Sequence, residues 1–162
     1  MSQNALLRSA RGLGIPGTTR KKARNTKLNV AAPRIEDDRP DHFATRNGVH
    51  CAGVHLIIDL HGADRLDDID HIEATLRRCV EAARATLLHI HLHHFQPSGG
   101  VSGVAVLAES HISVHTWPEV GYAAFDVFMC GSAEPDKCIP VLREAFAAQH
   151  VGVSELLRGR KV

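Results

Sequence analysis

The sequence predicts an α+β fold in which two similar β-α-β-type units form a largely antiparallel sheet with helices on one face. Three observations support this prediction. Alternating apolar residues mark several strands, whereas one central segment has apolar residues spaced by three or four. Turn-forming Gly and Pro residues separate the strands. The order strand, helix, strand occurs in both halves of the domain.

The first half contains two strands flanking a helix, then a third strand. VHCAGVHLIIDL, residues 49–60, predicts a strand that enters the core, and GADRLDD supplies a turn and acidic residues for a helix start. LHIHLHHF, residues 88–95, alternates and predicts a strand, and VSGVAVLAE follows the loop QPSGG as the third. The amphipathic helix between them is predicted from apolar residues at positions 69, 72, 76, 80, 83 and 87.

The second half follows a turn and contains a strand, a helix and a last strand. HISVHT continues the extended pattern, TWPEVG predicts a turn, and YAAFDVFMC predicts another strand that ends at Gly131. Pro135 suits the first turn of a helix, which is predicted over residues 135–148. The apolar side of this helix contains Ile139, Leu142 and Phe146. VGVSELL predicts a short last strand.

Composition divides the chain into a basic tail and one domain. At 162 residues, with 44% apolar and 23% charged residues, the chain can form one globular domain with a core. Residues 1–47 contain ten Lys and Arg against four Asp and Glu and show no sustained periodicity. We therefore expect a disordered basic extension over residues 1–47 and a folded domain over residues 48–162. A cationic arm could contact nucleic acid or an acidic membrane, but a solvated extension explains it more simply.

Targeting signals and cysteine spacing favour the cytoplasm. The tail lacks the apolar core of a secretory signal, and no segment is long enough to span a bilayer. A basic, acid-poor tail leaves organelle import as an alternative. Cys51, Cys79, Cys130 and Cys138 have neither metal-ligand nor redox spacing and are expected to be reduced. We expect no nucleic-acid partner and no membrane partner.

Three histidines share one face of a predicted strand. His89, His91 and His93 alternate, and alternate strand histidines can chelate zinc. No nearby Cys or carboxylate completes a ligand set, and a solvated polar face gives the same alternation. We expect no metal.

The segment AESHISVHTW places reactive groups directly after an apolar strand. Ser110, His115 and Cys130 could suggest acyl transfer, but two candidate nucleophiles with one base make a poor hydrolase, and G-x-S-x-G is absent. Cys130 alone is more simply a small hydrophobe in an apolar strand. The residues therefore indicate a reactive strand end, while a strand that emerges into water remains the alternative.

A longer motif resembles a known family. VSGVAVLAESHISVHTWPEVGYAAFDVFMCG, residues 101–131, resembles the short prokaryotic S-adenosylmethionine decarboxylases, self-processing pyruvoyl enzymes of polyamine synthesis. The similarity lies in E-S-H, H-T-W-P-E, G-Y-A-A and D-x-F-x-C-G at fixed spacing. It extends more weakly to the segment that begins at residue 53 and to residues 93–97. About 110 residues are covered, excluding the tail.

The resemblance implies a self-cleaving proenzyme. The chain would break between Glu109 and Ser110, and Ser110 would become the pyruvoyl group that forms a Schiff base with the substrate amine. Ser102 and His115 match residues that assist this processing. Cys130 matches the proton donor to the substrate carbon after loss of carbon dioxide.

The resemblance also implies the substrate site and the assembly. Phe95 matches an aromatic residue that stacks on adenine opposite the His115 ring, and Glu119 matches the carboxylate that binds the ribose hydroxyls. Asp59 is our own candidate for attracting the positive charge of the substrate, and a strand-end acid facing solvent is its alternative. The expected assembly is a homodimer, a layered sandwich whose active sites share residues across the interface.

Two alternatives and one difficulty remain. A pyruvoyl decarboxylase of arginine or ornithine would use the same machinery, although Phe95 and Glu119 favour S-adenosylmethionine. An uncleaved, non-enzymatic partner subunit would not need the reactive residues.

If the chain is extended from Ser110 to His115, the two residues lie ~17 Å apart on opposite faces. The strand must bend there, or the two residues must meet by another route.

Overall fold

The computed structural model describes residues 42–160, which contain eight strands, two α-helices and two short 3-10 helices. The strands are β1 (Ala44–Arg46), β2 (Val49–Cys51), β3 (Gly53–His61), β4 (Leu87–His94), β5 (Val101–Leu107), β6 (Ser110–Trp117), β7 (Tyr122–Met129) and β8 (His150–Arg158). The helices are α1 (Ile69–Ala82) and α2 (Cys138–Ala145). Six strands form one sheet in the order β4-β5-β6-β7-β3-β8. All neighbours in it are antiparallel.

Both helices pack on one face of this sheet, which confirms the predicted fold class. Alternation along the strands sends every second side chain into the core, as in β6, where Ile112 and Val114 are buried. Leu76 of α1 and Leu142 of α2 are fully buried in the same apolar cluster. Loss of one large side chain from such a core typically costs about 2–5 kcal/mol.

The predicted elements are present, with different bounds. The first strand is interrupted at Ala52, whose N–H donates to the carbonyl of Arg158, so that β2 and β3 are separate. α1 ends before Leu87, which lies in β4 rather than on the helix. The cause is local, since Arg84 adopts a left-handed φ of 57° that the helix cannot include.

The ordered domain begins earlier than residue 48. β1 pairs with β2 through a turn at Asn47 and Gly48, so the predicted end of the extension at residue 47 is wrong for residues 44–47. Ala44 is buried, and the Cys51 thiol donates to its carbonyl at 3.6 Å. The predicted disorder of residues 1–41 lies outside the described residues.

The second face of the sheet, called here the outer face, is rich in histidine and aromatic side chains. Because paired residues point the same way, the strand register places them together. The outer-face rings are those of His55, His61, His89, His91, His93, His111, His115, Trp117, Tyr122 and Phe128.

None of the described residues forms a helix long and apolar enough to cross a membrane.

Candidate active site

The Glu109–Ser110 bond lies in a tight turn between β5 and β6. Leu107 pairs with Ser110, so only Ala108 and Glu109 connect the two strands. Glu109 has a φ of 61°, in the left-handed region, which costs a non-glycine residue about 1–2 kcal/mol. The continuous extended pattern of residues 101–116 therefore contains a hairpin that turns back at the predicted cleavage site.

Ser110 and Cys130 meet beside this turn. The backbone N–H of Cys130 donates to Ser110 Oγ at 3.1 Å, and Ser110 is only 9% exposed. Burial raises the pKa of the Cys130 thiol, and the negative charge of Glu109 raises it further. The thiol is thus protonated near neutral pH. We call this site the serine cleft; its lining includes His42, Arg84, Thr86, Glu109, Ser110, Cys130 and Ser132.

A second cleft contains the remaining predicted residues of the site. Ser102 Oγ and His115 Nδ1 lie 2.9 Å apart, because their two strands pair at this position. The Phe95 ring, at 46% exposure, is available to a ligand. We call this site the histidine cleft; it is lined by Phe95, Ser98, Gly100, Ser102, His115, Thr116, Trp117 and Glu119.

The two clefts lie at opposite ends of β6. The strand is paired from Ser110 to Trp117 and does not bend between Ser110 and His115. The five intervening steps span ~17 Å at strand geometry. Ser110 faces the buried side, whereas His115 faces the outer side and is exposed. One protomer therefore brings Ser110 to Cys130 and Ser102 to His115, but does not bring the two pairs together.

Asp59 belongs to neither cleft. It pairs with Ala124, which in turn pairs with His115, so Asp59 lies on the outer face two strands from that histidine. The Tyr122 hydroxyl donates to Asp59 Oδ1 at 2.6 Å, and this bond raises the pKa of Tyr122. The Tyr122 ring packs 5.2 Å from Trp117 of the histidine cleft. The apolar periodicity predicted that Tyr122 lies on a strand, but nothing in the sequence indicated its hydrogen bond to Asp59.

The alternating histidines have no metal-like surroundings. His89, His91 and His93 are exposed on β4, and His93 packs its ring 4.6 Å from Phe95. Within residues 42–160, no group of three or more His, Cys, Asp or Glu side chains is arranged to hold a metal ion.

One contact of the serine cleft was not anticipated. His42 Nδ1 lies 2.6 Å from Glu109 Oε2. Residue 42 falls in the predicted extension, and no local pattern relates it to residue 109. Only the position of the β1–β2 hairpin brings the two side chains together.

Comparisons with known proteins place the chain in a family. Residues 54–159 match the family model of S-adenosylmethionine decarboxylase. The chain belongs to the S-adenosylmethionine decarboxylase family. This membership confirms the resemblance found in residues 101–131 and extends it over all of the six-stranded sheet except Gly53.

Individual members of the S-adenosylmethionine decarboxylase family agree. The chain is 46% identical over 108 residues to the S-adenosylmethionine decarboxylase proenzyme of Thermomicrobium roseum, covering 66% of this chain and 93% of that protein. It is 48% identical over 110 residues to the proenzyme of Methanococcus vannielii, covering 66% and 89%. The crystal structure of the adenosylmethionine decarboxylase of Aquifex aeolicus superposes with a TM-score of 0.59 at 34% identity, covering 67% of this chain and 92% of that one.

Proposed function

We propose that this chain is an S-adenosylmethionine decarboxylase proenzyme that cleaves itself between Glu109 and Ser110. The mature enzyme would make decarboxylated S-adenosylmethionine, the aminopropyl donor for spermidine synthesis. One observation carries the proposal: in a chain of this family, the serine of E-S-H lies buried in a tight turn beside Cys130. Arginine or ornithine as substrate is less favoured, since the relatives are named for S-adenosylmethionine.

Self-cleavage needs the Ser110 hydroxyl and the Glu109 carbonyl, which adjoin the same peptide bond. Ser110 Oγ attacks the Glu109 carbonyl carbon, the C–N bond breaks, and the nitrogen takes the hydroxyl proton, so that an ester replaces the amide. Loss of the Ser110 Cα proton then breaks the ester C–O bond and releases the Glu109 carboxylate. The dehydroalanine left behind tautomerises, and water replaces its nitrogen as ammonia, leaving a pyruvoyl group.

The surroundings of Ser110 suit this reaction. The Cys130 N–H holds Ser110 Oγ in one position, and burial keeps competing water away. The left-handed backbone of Glu109 stores conformational energy at the bond that breaks. The pyruvoyl group, once formed, supplies an electron sink for decarboxylation.

Cys130 is proposed as the proton donor to the substrate carbon. A general acid must hold its proton until the reaction needs it, and burial beside Glu109 raises the thiol pKa. Cys130 also adjoins Ser110, where the reacting end of the substrate would lie.

The histidine cleft is proposed to bind the adenosine part of the substrate. Phe95 and the His115 ring offer flat surfaces for adenine, and the Glu119 carboxylate can accept hydrogen bonds from ribose hydroxyls. Ser102 and His115, whose Oγ and Nδ1 lie 2.9 Å apart, are proposed to assist processing from across a dimer interface, since one protomer does not bring them to Ser110. Asp59 remains a proposed attractor of the substrate's positive charge, with one carboxylate oxygen engaged by Tyr122.

A homodimer would unite the two clefts. If two outer faces pack against each other in opposite directions, the β6 start of one protomer approaches the β6 end of the other. The outer face has the apolar surface for such a layered sandwich, with exposed Ile57, Val106, Trp117 and Leu156. Each active site would then combine Ser110 and Cys130 of one protomer with Phe95, Ser102, His115 and Glu119 of its partner.

The proposed compartment is the cytoplasm. The four cysteines at positions 51, 79, 130 and 138 are all free thiols, the usual state in a reducing compartment.

Mass spectrometry of the purified protein under denaturing conditions tests the proposal. We expect chains of 109 and 53 residues from the 162-residue precursor, with the second blocked by a pyruvoyl group. Ser110→Ala should remain one chain, because it lacks the attacking hydroxyl. Release of carbon dioxide from S-adenosylmethionine, but not from arginine or ornithine, identifies the substrate. An intact wild-type chain after prolonged incubation would contradict self-processing.

A further inference from the structure

The β1–β2 hairpin is fastened to the domain at several points. Arg46 binds two carboxylates, with Nη1 2.7 Å from Asp136 Oδ2 and Nη2 2.7 Å from Glu155 Oε2. The two pairs raise the pKa of this guanidinium. The Gly131 N–H donates to the carbonyl of His42 at 2.7 Å, directly next to Cys130. The backbone of residue 42 is therefore held at the rim of the serine cleft.

This anchoring directs the His42 side chain at the turn that contains the predicted cleavage site. Its Nδ1 lies 2.6 Å from Glu109 Oε2, within hydrogen-bond distance. A carboxylate only accepts hydrogen bonds, so Nδ1 carries the donated proton. The contact joins the hairpin to the β5–β6 turn across 67 residues of sequence.

Residue 42 lies outside the part of the chain that family membership explains. The family match covers residues 54–159, and the motifs that indicate chemistry begin at residue 93. His42 also differs from Arg84 of the same cleft, since Arg84 binds Glu134 rather than Glu109.

The contact acts on the residue whose carbonyl carbon must be attacked. Glu109 is held at a φ of 61°, a conformation that the chain alone disfavours. A bond to its side chain reduces the freedom of the residue and favours the turn in which the Cys130 N–H holds Ser110 Oγ. A loose Glu109 would spend more time in conformations from which attack is impossible.

We propose that His42 is a positioning residue for self-cleavage: by donating to the Glu109 carboxylate it holds the Glu109–Ser110 turn in its reactive conformation. This inference rests on the proposed self-processing and assigns a function to the hairpin that precedes the family domain. His42 does not touch the reacting atoms and acts through Glu109.

The test follows cleavage of the full chain made by cell-free synthesis with labelled methionine, in which Met129 marks the 53-residue product. His42→Ala should slow cleavage about fivefold, the size expected for loss of one half-exposed side-chain hydrogen bond. His42→Asn should restore most of the rate, because its amide N–H can donate from nearly the position of Nδ1. Arg77→Ala, which removes an exposed ion pair with Glu73 on α1, outside both clefts, should cleave like the wild type.

A second set of variants tests whether His42 acts through Glu109. In a Glu109→Ala background, His42→Ala should cause no further slowing. Thermal midpoints from circular dichroism verify that all variants are folded. Equal rates for wild type and His42→Ala, or a His42→Asn chain as slow as His42→Ala, would overturn the inference. If Glu109→Ala abolishes cleavage, the comparison of the two His42 variants decides alone. A wild-type chain that never cleaves would instead overturn the proposed function.

Discussion

The two ends of β6 differ in almost every physical property. At the Ser110 end the chain turns sharply, the hydroxyl is buried, and the nearest thiol has a raised pKa. At the His115 end the strand remains regularly paired, the imidazole is exposed, and Phe95 and Glu119 line an open cleft. Bond-breaking benefits from excluded water and fixed geometry, whereas substrate capture needs an accessible surface. One short strand therefore provides both environments at the cost of separating them.

The largest effect is expected in an experiment that tests whether a second protomer brings the two ends of β6 together in one active site. Ser110→Ala and His115→Ala chains should each be inactive and uncut alone. Co-expressed with different tags, they should give cleavage of the His115→Ala chain and measurable decarboxylation, because one of the two shared sites is then complete. Gel analysis of the tagged chains, with the two variants expressed separately as controls, measures the rescue. Failure of rescue in a verified mixed dimer would contradict a shared site.

Removal of the thiol tests the chemistry of the Ser110 end. Cys130→Ala should still cleave, since its backbone N–H remains, but decarboxylation should fall ~10²–10⁴-fold through loss of a general acid. In the wild type the raised thiol pKa keeps the proton bound as pH rises, so the alkaline loss of rate should begin above the ordinary cysteine range. Turnover measured against pH verifies both points.

A second cysteine provides the control for Cys130. Cys138 is fully buried in α2, away from both clefts, so Cys138→Ala should lower stability and leave the turnover of folded enzyme unchanged. Equal turnover of Cys130→Ala and wild type would return Cys130 to a packing role.

A smaller effect is expected from the ring of the histidine cleft. Phe95→Ala should raise KM for S-adenosylmethionine about tenfold through lost stacking, while cleavage and kcat change little. Leu88→Ala, which removes an exposed apolar side chain at the start of β4, should leave KM unchanged. Steady-state kinetics separates the two constants, and an unaltered KM for Phe95→Ala would remove adenine stacking from the proposal.

The smallest effect is expected from the basic extension. Deletion of residues 1–40 retains His42 and the hairpin, so the rates of cleavage and decarboxylation should stay within about twofold of the wild type. Extending the deletion through residue 48 should slow cleavage, because it removes His42 and its anchor Arg46. A more than tenfold loss from the shorter deletion, with folding intact, would show that the extension contributes to the site.

Sequence patterns predicted the elements better than their ends. Apolar alternation identified β4, β5 and β7 because a strand with one buried face must alternate, but it ran β6 on from β5 and missed the hairpin between them. The same pattern did not show that α1 stops before Leu87, since an apolar residue suits the next strand as well as a continued helix. β1 was missed because three residues with one buried member carry no periodicity.

The chain by itself determined which chemistry is present, because Glu109, Ser110, His115 and Cys130 belong to a continuous motif whose spacing identifies the family. The order of residues along one segment is enough to identify the family. Only the tertiary structure decided how these groups are distributed: the hairpin between β5 and β6 buries Ser110 against Cys130 and leaves His115 at the far end of a straight strand. The contact of His42 with Glu109 likewise depends on a docked hairpin. Distances across a sheet arise from strand pairing, and strand pairing leaves no trace in the spacing of residues along one segment.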